Sequence, residues 1–594
     1  MVFINNMRIK FSHLPLFTFL FLISGTSLSN DVKQPNIVLL LADDLGFTDL
    51  GAYGSEVSTP NIDALARLGR IFNNYHSASS CAPTRAMLMS GLSSHKAGLG
   101  NMPESLSQDM QGQPEYSGFL RLGLPTIADH LKESGYRTYV AGKWHLGQTR
   151  ETLPSARGFD RTFVLGDTGA DNWEQKPYLP IYDKANWYAD GEETSLPDDF
   201  YSSKTIIDKT IEFIDSEKEA PFFAYVAFLA VHIPVQAPKE FTDKYLSAYT
   251  EGWHKLREQR YEGAVKAGIV PEGLTIDKMS TTVDWDSLSK EEQRYEAKTM
   301  AVYAGMIEAM DFHIGRLIAH LKASGEFDNT LFVFTSDNGA EPSDIIDRTA
   351  SPLVKLYFNQ WLSSKNYSTE IDTLGEKGSY NMIGPSFASA SVSPLSFYKF
   401  YNGEGGMRVP LIFAGPNVAS GQAVNGAFSF VTDLVPTILE AAGAKPIPDA
   451  KGKSLLPILT GRNEVIRDST EGVGFELGGN ASYFQGDYKL VLNRKPVGDG
   501  QWRLYNIQSD PTERYDLSIK QAAMFEKLKT EYNQFADENG VLRMIEGYDQ
   551  RAQIVKNQIR KTLIELTPFI AAFLIIITLG SYSVIRIRRK RNAA

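Results

Sequence analysis

Cysteine is nearly absent from this chain: Cys81 is the only one. A single thiol excludes any disulfide within the chain. An exported product must then hold its fold by its own core, helped at most by a metal. Positive charge is not in excess either. Over 594 residues the formal net charge is −10, and no basic patch dominates the soluble part, which argues against a nucleic-acid binder. Internal repeats and long low-complexity tracts are missing, which excludes a solenoid or a biased tail. What remains is ordinary globular material. It is 43% hydrophobic and 22% charged, long enough for one large domain plus a smaller one.

Apolar runs without charge stand near both ends. Arg8 and Lys10 precede the short stretch Leu14 to Ile23, and Ser27-Leu28-Ser29 has the small-x-small form of a cleavage site. Residues 1–29 therefore read as a signal peptide, with a short membrane anchor as the competing reading. Near the other end, the apolar stretch Pro568 to Ile585 carries no charge, so residues 566–585 read as a transmembrane helix. Arg586, Arg588, Arg589, Lys590 and Arg591 follow at once, so residues 586–594 read as a basic cytoplasmic tail. The body then lies outside the cytoplasm, periplasmic or extracellular. A core helix with a basic tail is the alternative.

Between the ends, apolar β-rich runs finish on polar residues. Asn36 to Leu41 leads to Asp43-Asp44, Tyr136 to Ala141 to Lys143 and His145, Phe222 to Val231 to His232, and Leu331 to Phe334 to Asp337-Asn338. Helical stretches such as Pro125 to Ser134 and Lys298 to Ser324 lie between them. The alternation predicts an α/β fold: a large mixed, mostly parallel sheet flanked by helices, with ligands beyond the carboxyl ends of the strands. Lys239 to Lys266 reads as an exposed helical excursion. From about Gly443 the pattern changes, and Tyr488 to Leu492 with Trp502 to Tyr505 predicts a hairpin in an antiparallel sheet. The boundaries that follow are a catalytic domain over 30–442, a smaller C-terminal subdomain over 443–544 and a juxtamembrane linker helix over 545–565.

Cys81 stands in Cys81-Ala82-Pro83-Thr84-Arg85. A lone thiol is often a small buried hydrophobe. Here Pro83 suits the first turn of a helix, which places Cys81 at the helix mouth with Arg85 one turn further in, an arrangement poised for chemistry. Asp43, Asp44, Asp337 and Asn338 offer hard oxygen ligands, suited to Ca²⁺ or Mg²⁺ rather than zinc, although each alone also serves as a cap or turn residue. Lys143 and His145, two apart, share a side if extended, and together suit an anion. A hydrogen-bonded core histidine is the plainer reading of His145 and of His232.

These blocks resemble the sulfatase family, formylglycine-dependent type. Cys81-x-Pro83-x-Arg85 is similar to its signature, and the Asp-Asp, Gly-Lys-x-His, His-x-Pro and Asp-Asn-Gly blocks follow the family's order. Val231 to Pro238, and Lys399 ahead of Gly405-Gly406, look like the bacterial arylsulfatases of the Pseudomonas type. Asp510-Pro511-Thr512-Glu513 is similar to the family's C-terminal block.

The resemblance implies an alkaline-phosphatase-like fold and a sulfuric ester hydrolase. Cys81 would be oxidised by a maturation enzyme to formylglycine, whose hydrate is the nucleophile and a metal ligand. Asp43, Asp44, Asp337 and Asn338 would hold Ca²⁺, with Mg²⁺ as the other candidate, and Asp337 would accept the hydrate's proton. Arg85 would stabilise the hydrate, and Lys143 and Lys399 would bind sulfate. Lys399 or His232 would stand near the leaving oxygen, with His232 protonating or hydrogen-bonding the leaving alcohol, and His145 would help regenerate the aldehyde. Aryl or small alkyl sulfates are the implied substrates, with sulfated saccharides next. The rival readings are a phosphonate monoester or phosphodiester hydrolase and a catalytically silent binder of sulfated ligands.

Overall fold

The computed structural model describes residues 33–344, 351–421 and 424–592. The signal peptide assigned to residues 1–29 lies outside them. In chain order the main sheet contains β1 (Asn36–Ala42), β2 (Arg70–Phe72), β3 (Arg137–Lys143), β4 (Arg161–Leu165), β5 (Trp187–Ala189), β6 (Glu192–Glu193), β7 (Phe222–Ala227), β8 (Thr330–Ser336), β9 (Leu411–Ala414) and β10 (Val424–Asn425). Their spatial order is β10-β2-β9-β8-β1-β7-β3-β4-β5-β6. The central run β8-β1-β7-β3-β4 is parallel, while β9 and β5 flank it antiparallel.

Strand β1 shows why. Ile37, Leu39 and Leu41 enter one core, and Val38, Leu40 and Ala42 enter the other. A strand buried on both faces needs helices on both sides. Helices α1 (Cys81–Ser90) and, later in the chain, α4 (Leu434–Ala441) cover one face. Helices α2 (Ser202–Ser216) and α3 (Lys290–Ala323) cover the other. Helix α3 begins at a capping box, in which Ser289 and Glu292 satisfy each other's free backbone N–H.

Register then builds the rim. Ala42 lies opposite Ser336, Leu41 opposite Ala227, and Ala227 opposite Gly142. The next residues along β1, β8 and β3, parallel strands of which the last is reached across β7, are Asp43, Asp337 and Lys143, so all three emerge at one edge.

Beyond the sheet, β11 (Gly472–Leu477), β12 (Asn480–Gln485), β13 (Tyr488–Leu492) and β14 (Trp502–Asn506) form an antiparallel meander, with Leu490 opposite Leu504 as the hairpin pattern predicts. Helix α5 (Ala522–Asn539) packs Leu528 and Tyr532 against Ala481, Leu490 and Leu504.

Three expectations need correction. The strand expected to reach Val231 ends at Ala227. Beyond it the chain crosses the end of β1: Phe228 N–H donates to Leu41 O at 2.9 Å, and Asp43 N–H donates to Ala230 O at 2.8 Å. The apolar run continues, but its backbone bonds to the Asp43 loop instead of a strand. The excursion over 239–266 is broken at Tyr245 and resumes at Gly252–Lys266, with Trp253, Leu256, Arg257 and Arg260 buried. Arg260 pairs with Asp49 and with Glu56, whose Oε1 lies 2.9 Å away. Its charge disguised a core residue. Finally, the linker and the apolar segment are one helix, α6 (Gln550–Arg591), which starts five residues later than expected. Its apolar part, including Phe569, Ile576 and Leu579, is exposed. It is long and apolar enough to cross a membrane, and Pro568 within it is of a kind such helices tolerate.

Candidate active site

Cys81 is the first residue of α1 and is fully buried, as is every residue of that helix. Pro83 lies in the first turn, where its missing N–H removes no helical bond. Gly91 ends the helix at φ 69°, and its N–H returns to Met87 O, a conformation natural to glycine. The Cys81 Sγ lies 3.5 Å from Asp43 Oδ1 and 3.6 Å from Asp44 Oδ1. Asp43, Asp44, Cys81 and Asp337 each bring one donor atom into a cluster whose members all lie within 4.8 Å of one another. Asn338 joins them: its Nδ2 donates to Asp44 Oδ1 at 2.7 Å. Asp44 is held at φ 65°, a costly conformation for a non-glycine residue, as is common where side chains are aimed at a ligand.

Cations ring these oxygens. Lys143 Nζ donates to both Asp43 carboxylate oxygens, at 2.8 and 2.7 Å. Lys399 Nζ lies 2.9 Å from Asp44 and 2.7 Å from Glu341. Arg85 reaches Asp337 Oδ2 through Nε at 2.9 Å and Nη2 at 2.7 Å, and the Lys143 carbonyl through Nη1 at 2.7 Å. Arg85 therefore locks α1 to the ends of β8 and β3. The Lys399 loop is tied on both sides, with Lys399 N–H on Ala340 O at 3.2 Å and Phe400 N–H on Ser79 O at 2.7 Å. The small sheet braces the same loop: Lys489 binds Glu404 and Glu513 at 2.9 Å each.

Electrostatics set the protonation states. Burial and the charge of Asp337 push the Cys81 thiol well above its ordinary value, against the pull of Lys143 and Lys399. As cysteine this residue stays a neutral thiol, a poor nucleophile. Burial would also raise the Asp337 carboxyl, but Arg85, Lys143 and Lys399 hold it below the usual carboxylate range. Burial drives Asp43 upward against Lys143.

The two histidines differ. His232 Nδ1 lies 2.7 Å from the Ile233 carbonyl, which can only accept, so Nδ1 carries the hydrogen and Nε2 faces Asp44 Oδ2 at 3.6 Å. Burial, then Lys143 and Lys399, hold its pKa well below the ordinary imidazole value. His145 does not extend alongside Lys143 as the two-residue spacing suggested. Strand β3 stops at Lys143, and His145 adopts φ 57°. Its Nε2 lies 3.3 and 3.2 Å from the two Glu104 carboxylate oxygens, and that carboxylate also accepts from the Tyr182 hydroxyl. Burial lowers the His145 pKa despite Glu104, with Lys143 and Arg85 adding to the fall. The neutral ring donates Nε2–H to Glu104, leaving Nδ1 as a buried acceptor with no partner among the described residues.

The sequence reading missed Glu104, Tyr182 and Glu341. Glu341 was within reach of that reading, three residues past Asn338 at the end of the same strand. Glu104 and Tyr182 come from loops with no local signature.

The donor set suits a hard divalent cation. Carboxylate oxygens dominate it, and the Asn338 Oδ1 is buried without a partner among the described residues, a condition costing about 1–3 kcal/mol unless a ligand satisfies it. Asp43, Asp44, Asp337 and Glu341 also outnumber Arg85, Lys143 and Lys399, so one divalent charge would turn the site positive.

Comparison with known proteins decides the family. The Sulfatase family model matches residues 35–444, and a second model, N-sulphoglucosamine sulphohydrolase C-terminal, matches residues 396–538. The chain belongs to the sulfatase family. It is 36% identical over 539 residues to an uncharacterized sulfatase of Schizosaccharomyces pombe, covering 86% of this chain and 95% of that one. It is 33% identical over 442 residues to an arylsulfatase of Klebsiella aerogenes, covering 74% and 93%. The crystal structure of Ps i-CgsB in complex with k-i-k-neocarrahexaose shares the fold, with TM-score 0.62 and 24% identity over 88% of this chain and 98% of that one. As a sulfatase, the protein is a sulfuric ester hydrolase.

Proposed function

We propose that this sulfatase is anchored in a membrane by α6, faces the extracytoplasmic side, and cleaves aryl or small alkyl sulfate esters with position 81 matured to formylglycine. The contact of Cys81 with both Asp43 and Asp44, inside the ring of Lys143, Lys399 and Arg85, carries this reading. Asp43, Asp44, Asp337, Asn338 and position 81 would hold Ca²⁺ or Mg²⁺, which supplies Lewis-acid charge where oxygens become negative. An aldehyde hydrate at position 81 supplies one hydroxyl to attack sulfur and a second whose deprotonation allows sulfate to be expelled.

The chain's own residues do the rest. Lys143 and Lys399 bind sulfate oxygens as fixed charges in a dry site, where such charges act strongly. Arg85 keeps Asp337 ionised and in place, next to the hydroxyl that must lose a proton. His232, whose Nε2 faces the Asp44 carboxylate that Lys399 also touches, would serve the leaving oxygen. His145, with Nδ1 free to accept, takes the proton whose removal regenerates the aldehyde.

Two measurements test this. Matured protein should turn over an aryl sulfate at least about tenfold faster, in kcat/KM, than the matching aryl phosphate diester: both esters carry one negative charge, but the sulfate offers three free oxygens to the fixed lysines and the diester only two, with a second ester group to accommodate. The reverse order would favour a phosphodiester or phosphonate hydrolase. Binding without turnover of either, after verified maturation, would favour a silent binder. For the anchor, the full chain should stay in the membrane pellet through alkaline carbonate washing, and a chain ending before Leu566 should be released. Release of both would refute the span.

A further inference from the structure

Glu104 holds His145, and the chain in turn holds Glu104 from an unexpected side. Glu104 sits in a short 3-10 turn, Pro103–Ser105. Tyr182, the other group on its carboxylate, sits in the separate loop Ile181–Asp183. Neither loop has a sheet partner for these residues. Both are pinned by the first turns of α6, ahead of its apolar part. Asn557 Nδ2 donates to the Glu104 carbonyl and to the Leu106 carbonyl, at 2.9 Å each. Lys561 Nζ donates to the Ile181 carbonyl at 2.9 Å and pairs with Asp183 Oδ1 at 2.8 Å. Asn557 and Lys561 are four apart, so one helix face carries both sets of donors. The Asp183 side chain is 83% exposed, so that ion pair contributes little. The bonds to main-chain carbonyls are the stem's contribution, alongside Tyr548 Oη on the Ser105 carbonyl at 2.7 Å and Lys365 Nζ on the Asp183 carbonyl at 3.1 Å.

We propose that Asn557 and Lys561 are positioning residues for sulfate-ester hydrolysis: the stem of α6 fixes Glu104 and Tyr182, and through them the His145 ring. The proposal rests on the role given to His145 above, but not on membrane anchoring, since the stem precedes the apolar segment. The physical need is orientation. His145 is held at a strained φ, its only ring partner among the described residues is Glu104, and a displacement of about 1 Å at a reacting group costs up to about 10²-fold in rate.

The test uses the full-length matured protein, with aldehyde content measured in every sample. Asn557→Asp replaces a donor by an acceptor facing two carbonyls. It should lower kcat about tenfold or more, with KM for the aryl sulfate within about twofold. Lys561→Met should act in the same direction, and Lys561→Arg, which keeps a donor, should recover most of the loss. In a Glu104→Gln background, Asn557→Asp should cost less than about twofold more, because both changes act through one carboxylate.

Wild-type kcat in Asn557→Asp at full aldehyde content would overturn the proposal. So would a loss that multiplies in full with Glu104→Gln. If Asn557→Asp does not fold, equal kcat in Lys561→Met and Lys561→Arg decides against it. His145→Ala separates the two layers. If it keeps wild-type turnover, the His145 role itself falls. If it is inactive while the stem variants are unaffected, only the stem proposal falls.

Discussion

Replacing Cys81 by alanine should abolish sulfate-ester hydrolysis, by at least about 10⁴-fold in kcat, while the protein unfolds at a temperature close to that of the parent. The side chain is small and buried, and its polar contacts among the described residues are long ones to Asp43 and Asp44. Little packing is lost. The chemistry is lost entirely, because alanine has nothing to oxidise. Cys81→Ser is the sharper variant. A serine hydroxyl fits the same space and could attack sulfur, yet it has no second hydroxyl through which to expel sulfate. In a host that matures only cysteine it should be as inactive as alanine once one turnover is spent. Parental steady-state rates in either variant would remove position 81 from the mechanism.

Removing divalent ions should have the second-largest effect. The rim places Asp43, Asp44 and Asp337 within one cluster and leaves the Asn338 Oδ1 without a partner among the described residues. Chelation should lower the rate by about 10²-fold or more, and Ca²⁺ or Mg²⁺ should restore it. The folded state should respond as well. An ion held only by the native site at a hundred times its Kd adds about 2.7 kcal/mol of stability. The melting temperature should therefore fall by several degrees on chelation and recover on addition of the ion. A protein indifferent to both treatments, in rate and in melting, would contradict the assignment of these carboxylates to a metal. Recovery by one ion and not the other would name the metal.

How much of this was legible beforehand follows from the physics of each element. Strand β1 announced itself because Ile37 to Ala42 is an unbroken apolar run, as burial on both faces favours, so Asp43 and Asp44 marked the rim by contrast. Strand β8 did the same for Asp337 and Asn338. The helix at Cys81 could be placed because Pro83 is acceptable only in a first turn. Other features lie in contacts that sequence spacing does not carry. The end of β7 was misplaced since the run through Val231 stays apolar while its backbone turns to the Asp43 loop. Arg260 looked solvated because a charge usually is, and its partners Asp49 and Glu56 lie some two hundred residues earlier. His145 was aimed wrongly because one left-handed residue at a strand end reverses the side-chain alternation on which the spacing argument depends. Its partner Glu104, and Asn557 behind that, meet it only in the folded chain.

The chemical state of one side chain decides the mechanism, and the direct measurement is mass spectrometry of the peptide spanning Cys81 from active full-length protein. The prediction is a lighter, sulfur-free peptide that reacts with a hydrazide probe, in proportion to specific activity across preparations. Fully active protein whose peptide retains an intact thiol, and ignores the probe, would contradict it.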